Sequence, residues 1–178
     1  MLPINFHKTF IPERHFIAAL LDYAALGKAG TLQEISGDTG IPMGQSNGKV
    51  PAIIDYARGM GLIEVHPGNE KGTKVPRLTS FGRAVFTEDK FLGEELTQWI
   101  AHMNLCRSDI GALAWNAVFS KGRNILGGSF DTQQLEDYLV GISGPGKERT
   151  GPLLRSYLED AALARTRAIE LTGETVVR

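Results

Sequence analysis

Apolar residues recur at helical spacing from early in the chain. Phe16, Ile17, Leu20, Leu21 and Ala24 share one face of a helix that Pro12 opens and Gly27 stops. Thr31, Leu32, Gln33 and Glu34 then form a capping-box pattern, with Thr31 as the cap and Glu34 reaching back. This predicts a short second helix, with Leu32 and Ile35 inward, that ends between Gly37 and Gly40. A third helix is predicted from Asn47 or Val50 to Met60, burying Ile53, Ile54, Ala57 and Met60, with Pro51 tolerated in its first turn. After Gly61 the period shortens. Residues 62–65 and 75–78 read as two strands, and the polar stretch 66–74 between them reads as a hairpin tip. Thr79 or Ser80 caps a further helix through Phe86.

The second half reads as helical throughout. Leu96, Trp99, Ile100 and Met103 mark one helix. Ser108 caps another that contains Ile110, Leu113, Ala114, Ala117 and Val118 and stops at Gly122. Ser129 or Asp131 starts a third, with Leu135, Tyr138 and Leu139, and a last helix is predicted over 152–171. Helix, short helix, longer helix and hairpin, in that order, are the parts of a winged helix-turn-helix, with the hairpin as the wing. The expectation is a mainly α protein. Residues 1–90 would form the winged helix-turn-helix with an N-terminal arm. Residues 91–178 would form a helical subdomain for dimerisation or partner docking.

Composition narrows the classes. Among 178 residues, 42% are hydrophobic and 22% charged, as in an ordinary globular protein. No apolar run approaches the roughly 20 residues that span a bilayer, and the first ten residues lack a secretion pattern. Cys106 is the only cysteine, which excludes a disulfide framework and suits a reducing cytoplasm. The formal net charge is −1; residues 1–90 carry ten Lys or Arg against nine Asp or Glu. Phosphate neutralisation normally supplies most nonspecific DNA affinity, so any DNA contact must come from a local patch or from two patches joined in a homodimer.

In a winged helix the third helix usually enters the major groove, its first residues reaching base edges. Those residues here are Gln45, Ser46, Asn47 and Lys49, with Arg58 further along. Gln and Asn pair bidentately with adenine, and Lys reaches guanine or phosphate. The wing adds Lys71, Lys74 and Arg77 for backbone contact. The competing reading is that all eight are solvated residues of a winged helix used for protein contacts. Residues 44–49 depart from a phosphate-binding loop at both ends, Met43 and Val50. His102 and Cys106, four apart, are two ligands where a structural zinc site wants four. No convergent acid, base and nucleophile emerges, so neither an enzyme nor a cofactor is expected. Trp99 and Trp115 read as core or as a subunit interface. Lys147, Arg149 and Arg155, with Arg165 and Arg167 further on, interleave with Glu148, Glu159 and Asp160 as a solvated face, the alternative being a second phosphate-contacting patch. Phe6 and Phe10 read as rings that pin the N-terminal arm to the core, with His7 hydrogen-bonded between them.

Several short motifs occur together. Residues 6–10 read Phe-His-Lys-Thr-Phe. Residues 48–50 read Gly-Lys-Val, 54–57 Ile-Asp-Tyr-Ala and 59–63 Gly-Met-Gly-Leu-Ile. Leu78, Thr79, Phe81 and Gly82 follow, then residues 99–104 and Ala114-Trp115. Together they resemble an uncharacterised bacterial domain family of winged-helix-like proteins found in anti-phage defence islands, often beside DNA phosphorothioation genes. The resemblance implies a DNA-interacting part in antiviral defence, as a transcription regulator or a DNA-sensing component acting on double-stranded DNA. It brings no active residues with it. The alternative is a non-catalytic adaptor that docks a partner nuclease or modification enzyme.

Overall fold

The computed structural model describes residues 1–43, 48–144 and 150–178. Helices dominate it. The first three are α1 (Arg14–Ala25), α2 (Leu32–Thr39) and α3 (Lys49–Gly59). Their boundaries follow local chemistry. Thr31 accepts a hydrogen bond from the Glu34 N–H while the Glu34 carboxylate takes the Thr31 N–H at 2.7 Å, so the box that the sequence predicts closes. Gly40, at φ 70°, ends α2 in the left-handed region.

The antiparallel hairpin follows, with β1 (Ile63–Pro67) and β2 (Lys74–Leu78) in the register Ile63 to Leu78 and Val65 to Pro76. Thr79 caps α4 (Ser80–Glu88) by accepting from the Gly82 N–H, and its hydroxyl donates to the Gly61 carbonyl at 2.6 Å. One side chain therefore starts the helix and locks it to the end of α3. The helix α5 (Glu95–Leu105) completes this part.

The remaining chain departs from the helical expectation in two places. A helix from Ser108 is predicted, but α6 (Leu113–Trp115) begins five residues later and widens into a π-helical segment, Asn116–Lys121. The N-terminal arm is the cause. Leu2 forms a parallel bridge with Ala112, taking the Gly111 carbonyl at 2.7 Å and the Leu113 N–H at 3.0 Å, so those groups cannot join a helix earlier. After α7 (Arg123–Leu126), β3 (Ser129–Asp131) and α8 (Thr132–Ser143), the last helix, α9 (Thr150–Leu158), stops thirteen residues short of the predicted end at Leu171. Arg14 captures the segment beyond it: its N–H reaches the Ala161 carbonyl and its guanidinium the Asp160 carbonyl. A 3-10 turn, Ala164–Thr166, and two strands follow, β4 (Glu170–Thr172) and β5 (Thr175–Val177). With β3 they form an antiparallel sheet of order β3-β5-β4.

Residues on both sides of position 90 enter one hydrophobic cluster, which runs from Leu2 to Val176. At its centre Phe6, His7 and Tyr56 surround the fully buried Trp115, with Phe6 4.8 Å from Tyr56 and 5.9 Å from Trp115. The His7 ring nitrogen Nδ1 donates to the Lys8 carbonyl. The arm thus packs as the paired phenyl rings suggest. Among the described residues no helix is long and apolar enough to cross a membrane.

Candidate functional site

The eight residues expected to touch DNA do not form one strip. Gln45, Ser46 and Asn47 lie outside the described residues. Lys49 turns inward: its ammonium sits 2.6 Å from Glu13, 5.4 Å from the Phe10 ring centre and 4.9 Å from that of Phe16. Arg58 is bonded to Asp55 at 2.8 Å. The α3 surface open to solvent is narrow, since Lys49, Pro51 and Asp55 are half-buried and Arg58 is exposed. Burial pushes the Asp55 carboxyl up, while Arg58 and Lys74 oppose it. With Glu13 against Lys49 and Asp55 against Arg58, this line carries no net positive charge to draw a phosphate.

On the hairpin, Lys71 is exposed at the tip. The Lys74 backbone exchanges hydrogen bonds with Gly30 at 2.8 and 3.0 Å, which ties β2 to the turn before α2. Lys74 and Arg77 stand three apart on one strand and so point to opposite faces. Arg77 faces Glu64 across the ladder, and its guanidinium lies beside Gly27.

What the fold does build there is a groove of about 700 Å³ between the hairpin base, α4 and α5. Ile63, Phe81 and Ile100 line its floor; Arg58, Arg83 and Arg107 stand along it. Glu64 is the single carboxylate of that lining among the described residues. Arg83 is held by the Leu78 carbonyl at 2.9 Å and by Ser80, and Arg107 by Asp109 at 2.6 Å. Arg83 and Arg107 escape a sequence reading centred on α3 and the wing, because they enter from neighbouring elements. Arg83 follows Thr79 by four residues at a helix start, and that spacing was the available signal.

The pair His102 and Cys106 falls in a different place, against the π-helical segment. Trp115 Nε1 donates to the Tyr157 oxygen at 2.8 Å, and the Tyr157 hydroxyl lies 2.5 Å from His102 Nδ1. Because Tyr157 accepts from Trp115, its proton points to His102 Nδ1, while the Cys106 sulfur lies 3.7 and 3.9 Å from the two ring nitrogens, against the ring. Burial lowers the His102 pKa to about 4 and pushes the Cys106 thiol up to about 12. Both are therefore neutral at pH 7, and the pair lacks the thiolate that nucleophilic attack needs. Among the described residues no three His, Cys, Asp or Glu gather as metal ligands.

No protein-family description, curated protein or solved structure matches this chain.

Proposed function

We propose that this chain is a non-catalytic docking module: a winged helix-turn-helix that offers the groove beside its hairpin to a protein partner, not its third helix to duplex DNA. The helix and hairpin order supports the winged-helix reading, since α1, α2 and α3 precede β1 and β2. The observation that carries the docking reading is the internal neutralisation of Lys49 by Glu13 and of Arg58 by Asp55. Those two cations are the ones a DNA-reading third helix would need, and a phosphate would have to outbid a carboxylate already in contact.

The groove suits a partner segment with apolar anchors and acidic flanks. Phe81 and Ile100 supply the apolar floor, and Arg83, which no carboxylate pairs among the described residues, supplies the complementary charge. By the family resemblance, the partner is a nuclease or DNA-modifying enzyme of the same defence system.

A salt titration of duplex binding tests this. A DNA binder making six phosphate contacts would show a log–log salt slope near −5. The docking module is expected to show a slope shallower than about −2 and no change on Lys74→Glu with Arg77→Glu. A steep slope that the double variant flattens would overturn the reading and restore the DNA one. Panning a random peptide library against the whole chain supplies the positive arm: acidic, apolar-anchored segments should emerge and lose binding to Phe81→Glu.

A further inference from the structure

Away from that groove, a cleft of about 500 Å³ opens between α5, α7 and the turn leading to β4. It shares no lining residue with the docking groove. One wall is aromatic, made of Trp99, His102 and Phe119, with His102 edge-on to both neighbours at 5.3 and 4.6 Å. The rest of the lining brings together Arg123, Arg167 and Arg178, and among the described residues that line it none is acidic.

The three arginines come from separate parts of the chain and are placed differently. Arg178 is anchored, donating to the Gly127 carbonyl at 2.7 Å and to the Val118 carbonyl. Arg123 and Arg167 are exposed and have no ion pair among the described residues. Burial, and then the charge of Arg123, lower the Arg178 pKa, so the guanidiniums already oppose one another. Arg167 occupies the left-handed region at φ 48°, where an ordinary side chain is disfavoured. Thr166 fixes that turn, accepting from the Ala168 N–H at 3.2 Å and donating to the Leu163 carbonyl at 2.8 Å.

Next to the cleft lies a hollow of about 720 Å³, and His102 and Phe119 line both. Asn116, 5% exposed, is in the wall of that hollow. Its Nδ2 donates to the Cys106 carbonyl at 2.7 Å, but its Oδ1 has no hydrogen-bond partner among the described residues.

We propose that the Arg123–Arg167–Arg178 cleft binds a small phosphate ester carrying a flat ring. The phosphate meets the guanidiniums, and the ring lies on Trp99 and Phe119. Three guanidiniums in a lining with no acidic side chain match a dianion, and their paired N–H groups suit its terminal oxygens. The aromatic wall favours an organic ester over the free ion, and the recessed volume is that of a small-ligand site.

The test is isothermal titration of the whole chain with phenyl phosphate, phenol, inorganic phosphate and a short 5′-phosphorylated single strand. Phenyl phosphate should bind saturably, phenol not at all, and inorganic phosphate about tenfold more weakly than phenyl phosphate. Arg123→Gln with Arg167→Asn should weaken phenyl phosphate about tenfold or more. Both side chains are exposed, and Asn accepts the left-handed backbone, so the melting temperature should hold. Failure of phenyl phosphate to saturate, indifference to the double variant, or equal binding of inorganic phosphate would each overturn the proposal. A strand that binds far more tightly than phenyl phosphate would overturn it in favour of a nucleic-acid end. The duplex titration described above does not depend on any of these results.

Discussion

His102 is the residue whose environment has the clearest consequence. Its neighbours are Trp99, Phe119, Tyr157 and Cys106, none of which compensates a positive charge. Protonating Nδ1 would also force the Tyr157 hydroxyl to give up its acceptor while Trp115 still donates to its oxygen. Charged groups line both hollows that His102 borders, Arg123, Arg167 and Arg178 in one and Arg107 and Asp109 in the other, and burial is what lowers its pKa. A folded pKa of about 4 against an ordinary 6.5 means that between those values the unfolded chain binds the proton and the folded chain does not. Stability therefore falls as pH drops through that window, by about 3 kcal/mol in all. Gln at this position can still accept from Tyr157 and does not titrate. Denaturant midpoints measured from pH 7 to pH 4 should fall more steeply for the native chain than for His102→Gln. Parallel curves would show that His102 takes up its proton without cost. Lys49 shows the opposite limit of what a single residue discloses. Its position in the sequence suggests an exposed groove contact, yet Glu13, thirty-six residues earlier, claims it, and nothing local reports such a pairing.

At the scale of elements, the legible features are those that a few neighbouring residues decide. The Thr31–Glu34 box, the Thr79 cap and the Asp131–Gln134 box each lie within a four-residue window, and each helix starts there. The missed features depend on distant partners. The strand β5 pairs with β3 some forty-six residues away, and each strand is three residues long, too short for a period to register. Even so, residues 172–177 read Thr-Gly-Glu-Thr-Val-Val, with Gly173 at φ 62° in the turn and β-branched residues after it. A helix predicted through Leu171 ran up to that signal and masked it.

Two glycines within helices show how packing changes the sign of one substitution. A Cβ on Gly82, in α4, would stand 1.8 Å from the Leu62 carbonyl oxygen, and the Thr79 cap holds both partners in place. Gly82→Ala should therefore cost about 3 kcal/mol or more, seen as a lowered chemical-denaturation midpoint. Gly141, in α8, is exposed and a Cβ there meets nothing within 4 Å. Gly141→Ala should raise the midpoint, by about 0.5–1 kcal/mol of stability. Equal effects would mean that α4 does not sit as closely on the hairpin as described.

For the molecule as a whole, the question is whether the part before position 90 and the part after it unfold separately. The order of predicted elements, a winged helix followed by an all-helical half, suggested two units, and a docking module with a detachable second half would behave that way. The contacts argue for one cooperative body. Leu2 is hydrogen-bonded on both sides to the segment that opens α6. Arg14, on α1, bonds the carbonyls of Phe91, Leu92 and Asp160. Phe6 and Tyr56 pack on Trp115, which in turn is bonded to Tyr157 of α9. The rings of the first half thus lie against the hydrogen-bond chain of the second, and neither can open without exposing the other. Thermal unfolding followed by far-ultraviolet circular dichroism, which weights all helices, and by tryptophan fluorescence, whose reporters Trp99 and Trp115 lie after position 90 with Trp115 at the junction, should give one shared midpoint. Phe6→Ala removes the ring at the junction and should lower both signals together, by about 3–5 kcal/mol. If the fluorescence midpoint stays fixed while the dichroism midpoint falls, the arm stabilises the first half alone. Binding at the groove would then have no mechanical route to the arginine cleft on the far side of α5.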